Sequence, residues 1–204
     1  NIPFSFVPSQ KLDSLSKGGR HQGVVAMIAP IEYVGLDVLI SKAKFAEENP
    51  IFILLDGVSD VRNLGAIARS AECAGASGII VPAKGGAAIN SEGIKASAGA
   101  LLRMGVSKVQ NLKIAALMLK EEGFKVIAAS EKTDNFIYNV DMTGPIAIVM
   151  GAEGKGVSKT MLALSDELAA IPMAGEISSL NVGVAASVVL YEAVRQRITA
   201  EYIT

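Results

Sequence analysis

The sequence predicts an α/β domain: a parallel sheet of five or six strands with helices on both faces. Three observations carry this expectation. Short apolar runs such as Ile51-Phe-Ile-Leu-Leu55 and Ile146-Ala-Ile-Val-Met150 are continuous rather than alternating, as in strands buried on both sides. Between such runs lie segments whose apolar residues recur at helical spacing. Half of the residues are hydrophobic, 20 are glycine and none is tryptophan, a balance suited to close packing of helices on a sheet.

Residues 1–30 stand apart. Ile2 to Pro8 is an apolar run broken by two prolines, Lys11 to Arg20 is polar and helical at best, and Val24 to Ile28 reads as a strand. Two strands and one short helix cannot bury a core alone. Residues 31–50 read as a linker with a helix near Leu36 to Glu47. From Ile51 to Thr204 the alternation is regular. Ile51 to Leu55 is a strand ended by Asp56-Gly57. Asn63 to Ala76 is a helix with Leu64, Ile67, Ala68, Ala71 and Ala74 on its apolar side, and Asn63 is its expected N-cap. Gly78 to Pro82 is a strand, 91–104 a helix, Val106 to Val109 a strand and Asn111 to Glu122 a helix. Phe124 to Ala129 and Ile146 to Met150 are strands, with a helix at Ser158 to Leu164. Leu168 to Met173 is the last strand and Ser179 to Ile198 the last helix.

Composition narrows the function. With 19 basic and 20 acidic residues the net charge is −1, so any nucleic-acid contact must come from a local patch. Lys11, Lys17, Arg20 and His21 come nearest to one. A single cysteine, Cys73, excludes an internal disulfide and a cysteine zinc cluster, and its helical context predicts burial. No metal site is expected, and a reducing cytoplasm fits. No apolar run reaches the ~18 residues of a membrane span. The chain begins at Asn1 without Met, which reads as a fragment or a processed product.

Three segments carry the chemistry. Gly151-Ala-Glu-Gly-Lys-Gly156 follows a strand as a nucleotide loop should, yet it matches neither the dinucleotide pattern G-x-G-x-x-G nor the phosphate-loop pattern. That mismatch argues against a dehydrogenase. Ile171-Pro-Met-Ala-Gly-Glu-Ile-Ser-Ser-Leu-Asn-Val-Gly-Val-Ala185 runs from a strand end into a long apolar helix, the place where α/β sheets bind ligands. Asn63-Leu-Gly-Ala-Ile-Ala-Arg69 opens the early helix.

In that order and near those separations, the three segments resemble the SpoU branch of the SPOUT RNA methyltransferases over roughly residues 51–199. Val149-Met-Gly-Ala-Glu-Gly154 and Glu192-Ala-Val-Arg-Gln-Arg197 look like the bacterial large-subunit rRNA guanosine 2′-O-methyltransferases. The resemblance implies an α/β-knot domain, preceded by the tail of a small α/β RNA-binding domain in residues 1–30. It implies methylation of a ribose 2′-hydroxyl in structured RNA from S-adenosylmethionine, in a homodimer with the last helix at the interface. A tRNA substrate, or an RNA-binding module of the same fold without turnover, is the alternative.

The same resemblance assigns residues. Arg69, Asn63, Glu153, Ser179 and Asn181 would form the catalytic set; Ala129, Gly151, Ile171, Met173 and Leu180 would hold the cofactor. The family proposal makes the arginine a base, whereas a guanidinium that stays protonated at any working pH favours charge stabilisation and phosphate anchoring. Glu153 would orient Arg69 or Asn181; its alternative is an exposed turn residue. Ser179 and Asn181 also suit helix capping. His21 would be an RNA-facing or interdomain loop residue, or an ordinary loop histidine. Gly183 stands where many relatives have serine, which suggests a closer backbone approach.

Overall fold

A computed structural model describes residues 4–26 and 30–201. The chain divides into two compact units between Pro30 and Ile31. In the first, α1 (Ser9–Leu15) buries no residue. His21 Nδ1 accepts from the Gly23 amide at 3.0 Å, which puts the ring proton on Nε2, 3.0 Å from Asp13 Oδ1. The only histidine therefore braces its own loop. Val24 to Ala26 are not in a strand, and the rest of the strand expected there lies outside the described residues.

The second unit is a six-stranded sheet, entirely parallel, with the order β3-β2-β1-β5-β4-β6. The strands are β1 (Ile51–Asp56), β2 (Gly78–Pro82), β3 (Gly105–Val109), β4 (Lys125–Ala129), β5 (Ile146–Gly151) and β6 (Glu167–Ala169). Alternate residues divide between two cores. Ile51, Ile53, Leu55, Ile127, Ile146 and Ile148 pack toward α3 (Val61–Cys73) and α7 (Val182–Glu201). Phe52, Leu54, Val126, Ala128, Ala147 and Val149 pack toward α2 (Leu36–Ala46), α5 (Leu112–Glu121) and α6 (Lys159–Leu164). The segment 31–50, expected as a linker, belongs to this unit. Leu36, Leu39, Ile40 and Ala43 of α2 are buried, and Leu39 lies against Gly78 and Gly105, where a larger residue would collide with it.

Four local expectations are corrected. Asp60, not Asn63, caps α3: its carboxylate accepts from the amides of Arg62 at 2.7 Å and Asn63 at 3.0 Å, bonds that hold its pKa below the usual range. The helix expected over 91–104 stops early, as α4 (Ser91–Ala96) followed by a 3-10 turn at Ala100–Leu102. There the Gly99 amide bonds Ile94 O and the Ala98 amide bonds Lys95 O, a Schellman end whose left-handed cap residue is alanine (φ 50°) rather than the usual glycine. The last strand ends at Ala169 rather than Met173, because Pro172 has no N–H to pair and β4 itself ends at Ala129. Cys73 is exposed rather than buried.

Parallel pairing puts the C-terminal ends of β1, β5, β4 and β6 on one rim, and α3 and α7 both start there. These two helices run side by side in the same direction. Asn63 and Ala66 face Gly183, and Ser70 Oγ lies 2.7 Å from Ser187 Oγ. Gly183 permits the approach, since a Cβ there would stand 3.0 Å from the Ala66 side chain.

Candidate active site

A cleft of about 470 Å³ opens on this rim. Its walls come from the end of β4 (Ala129, Ser130, Glu131), the loop after β5 (Gly151 to Gly154, and Gly156), the exit of β6 (Ile171, Met173) and the approach to α7 (Ser178 to Val182). All five residues expected to hold the cofactor line it: Ala129, Gly151, Ile171, Met173 and Leu180. Glu153, Ser179 and Asn181 line it as well.

The glycine loop folds back on itself. The Gly156 amide donates to Ala152 O at 2.8 Å, with Gly154 (φ 76°) and Gly156 (φ 67°) in the left-handed region. Gly151 sits under this turn, where a Cβ would collide with the backbone of Gly156 and Val157. Asp56 at the end of β1 accepts from the Ser158 amide at 2.7 Å and anchors the loop to the sheet.

Asn181 joins the three segments. Its side-chain oxygen accepts from the amides of Gly183 at 2.9 Å and Val184 at 3.4 Å, capping α7. With the oxygen so used, the amide nitrogen must point the other way. It donates to Asn63 Oδ1 at 2.9 Å and to Glu153 Oε1 at 2.7 Å. Asn63 is free for this bond because Asp60 has taken the capping position. The result is a small polar cluster of Asn63, Glu153 and Asn181 at the cleft's edge, in which the Asn63 amide nitrogen and the second Glu153 oxygen are left over, while Ser179 lines the same cleft. Ser179 precedes the helix and does not cap it.

The profile of the SpoU rRNA methylase family matches residues 50–191. The chain belongs to this family. Residues 1–34 match a second profile, for RNA 2′-O ribose methyltransferase substrate binding. The 23S rRNA (guanosine-2′-O-)-methyltransferases RlmB of Escherichia coli K12 and Photobacterium profundum are 41% and 40% identical, over 92% and 91% of this chain and 77% and 76% of theirs. Among solved structures, the SpoU methyltransferase AviRb from Streptomyces viridochromogenes in complex with AdoMet is 32% identical with a TM-score of 0.69. That match covers 75% of this chain, which spans only 62% of the AviRb chain. The A. aeolicus TrmH/SpoU tRNA modifying enzyme is 30% identical, with a TM-score of 0.67, over 81% of this chain and 86% of that one.

Of the expected site residues, Asn63 lines no part of the cleft but reaches its edge through the bond from Asn181, and Arg69 does not reach it within one chain. Arg69 is exposed and lines no part of the cleft, and among the described residues nothing bonds to its guanidinium. Six residues along a helix is about 9 Å of rise and about 240° of rotation from Asn63, so one chain cannot aim both side chains the same way. Sequence reasoning also missed Ser130 and Glu131. The available signal was a polar pair directly after a strand on the ligand-binding rim. Among the described residues no group of acidic, histidine or cysteine side chains could hold a metal, and no helix is long and apolar enough to cross a membrane.

Proposed function

We propose that this chain methylates a ribose 2′-hydroxyl of structured RNA, using S-adenosylmethionine bound in the cleft, with a guanosine of large-subunit rRNA as its target. The observation that carries the reading is the Asn181 hub, which ties the helix start, the glycine loop and Asn63 together at the mouth of the cleft. The residues present fit the donor. A cationic sulfonium needs no phosphate cradle, Ile171, Leu180 and Val182 offer apolar faces to an adenine, and the loop backbone offers polar edges. Bound there, the donor supplies an electrophilic methyl group on sulfur. The protein's part is positioning: holding the ribose hydroxyl in line with that group supplies much of the rate. Asn63 and Ser179 hold the ribose through their free donors, and Glu153 keeps Asn181 oriented. Relatives acting on 23S rRNA at 40% identity favour that substrate, and the likeness to a tRNA modifying enzyme supports tRNA as a second reading.

The guanidinium comes from a second copy. Arg69 lies on the outward side of α3 beside α7, where Val184, Tyr191 and Ile198 form a half-exposed apolar stripe at seven-residue spacing. A homodimer that covers the stripe carries Arg69 toward the partner's cleft, where it stabilises the developing alkoxide and grips a phosphate. Complementation tests this. Arg69→Ala and Asn181→Asp should each be inactive alone on rRNA. If the arginine acts across the interface, a mixture refolded together regains activity, because a mixed dimer holds one intact site. If it acts within one chain, the mixture stays inactive and the dimeric reading fails. Transfer by neither rRNA nor tRNA assay with the wild-type protein would sink the activity itself.

A further inference from the structure

Glu131 is a carboxylate at the cleft that nothing above employs. It follows β4 directly and stands on a fixed platform. The Ser130 amide donates to Ala169 O at 3.0 Å, Ser130 Oγ accepts from the Lys132 amide at 3.2 Å, and the Ala170 amide donates to Asn135 O at 2.8 Å. From this platform both Glu131 carboxylate oxygens lie over the glycine loop, 3.8 and 3.9 Å from where a Cβ on Gly156 would be. Among the described residues no hydrogen bond or ion pair engages that carboxylate, although Lys132 and the hydroxyls of Ser130 and Thr133 lie on the same loop.

Its place in the sheet says what it meets. β4 neighbours β5, the strand that carries the glycine loop. In doubly wound nucleotide-binding sheets, the acid that accepts from ribose hydroxyls sits near the C-terminal end of the strand beside the one feeding the glycine loop. Here the loop runs from its tip at Glu153, bonded to Asn181, to its base at Gly156, under Glu131. The tip is the side where methyl transfer is placed, so the base faces the nucleoside part of the donor. Phosphates, which a carboxylate would repel, are absent from that donor. We propose that Glu131 accepts hydrogen bonds from the 2′,3′-diol of the cofactor's own ribose and so selects a ribonucleoside donor.

This rests on the methyl-donor reading, and the test separates the two. Calorimetric titrations of the whole chain would use S-adenosylhomocysteine, 5′-methylthioadenosine (which lacks the amino-acid tail) and 2′-deoxy-5′-methylthioadenosine. Loss of a hydrogen bond to a charged acceptor should weaken the first two by about tenfold or more in Glu131→Gln. The deoxy compound should bind wild type more weakly than its ribo parent, and that gap should shrink in the variant, a coupling that general damage to the fold would not produce. Lys132→Gln, on the same loop, should bind all three as wild type does. Unchanged affinities in Glu131→Gln overturn the proposal. So does a loss confined to S-adenosylhomocysteine, which would put the carboxylate on the amino-acid tail. Failure of the wild-type protein to bind any of the three removes the donor reading and this proposal with it.

Discussion

Replacing Gly151 by alanine tests the cleft at its tightest point. The backbone there carries no positive φ, so the glycine is required by space and not by conformation. An added Cβ would collide with the Gly156 carbonyl carbon and the Val157 amide nitrogen. Even the Gly156 oxygen would be only 2.5 Å away, where ordinary contacts begin at 3.4 Å. All three are backbone atoms and cannot swing aside. The loop they belong to is fixed by the 2.8 Å bond between Gly156 and Ala152, the 2.7 Å bond from Ser158 to Asp56, and the buried Val157. Overpacking costs about 1–3 kcal/mol, and opening the Gly156–Ala152 bond adds about 1 kcal/mol. Together this is roughly 2–4 kcal/mol, which lowers the melting temperature of a domain this size by roughly 5–15 °C. Because the loop forms one wall of the cleft, S-adenosylhomocysteine affinity should fall with it. Gly154→Ala provides the contrast: φ is 76° with nothing within 4 Å, so only left-handed strain of about 1–2 kcal/mol is expected. Thermal unfolding and calorimetric binding measure both effects. A Gly151→Ala protein that melts and binds like wild type would refute the closed-loop geometry.

Asn181 separates stability from chemistry. Asn181→Asp keeps an oxygen for the Gly183 and Val184 amides, so the melting temperature should hold, while the lost donor sets a carboxylate against Glu153 and methyl transfer should fall by at least about tenfold. Asn181→Ala loses the cap too, about 1 kcal/mol in chemical denaturation. Glu192 gives a pH signature. Its carboxylate, 5% exposed, accepts from Arg195 at 2.7 and 2.9 Å and from Gln196 at 2.8 Å, and the Arg195 bonds hold its pKa below the ordinary value. A lowered pKa stabilises the fold above the unfolded value of about 4.3, and that contribution is lost as pH falls through the folded value. Glu192→Gln should therefore be less stable at pH 7 by about 1–3 kcal/mol. The gap should close as the pH drops from about 5 to below 4, and a gap independent of pH would contradict this.

Much of this protein was legible in its order of residues. Continuous apolar runs marked the strands, helical spacing marked α3, and α2, α5 and α7 were placed to within a few residues. The three motif segments identified the family and supplied most of the residues that line the cleft. Local misreadings came from substitutes that a linear scan does not favour. Ala98 took the left-handed position where glycine is usual, and Asp60 capped the helix three residues before the asparagine that looked like the cap. The second misreading bears on the site, since an Asn63 spent on capping could not accept the bond from Asn181.

Tertiary structure alone decided which side chains meet. Asn181 reaches a partner 118 residues away and another 28 residues away, and no local signal encodes either distance. Sheet order brings the ends of β5, β4 and β6 together, which sets Glu131 over Gly156 and gives the cleft its second carboxylate. The same order turns Arg69 outward, although it shares a motif and a helix with Asn63. Periodicity along a chain reports which face of an element is buried, because burial is a property of that element. The direction of a polar side chain relative to a cleft depends on where neighbouring elements stand, and that is settled only when the sheet assembles.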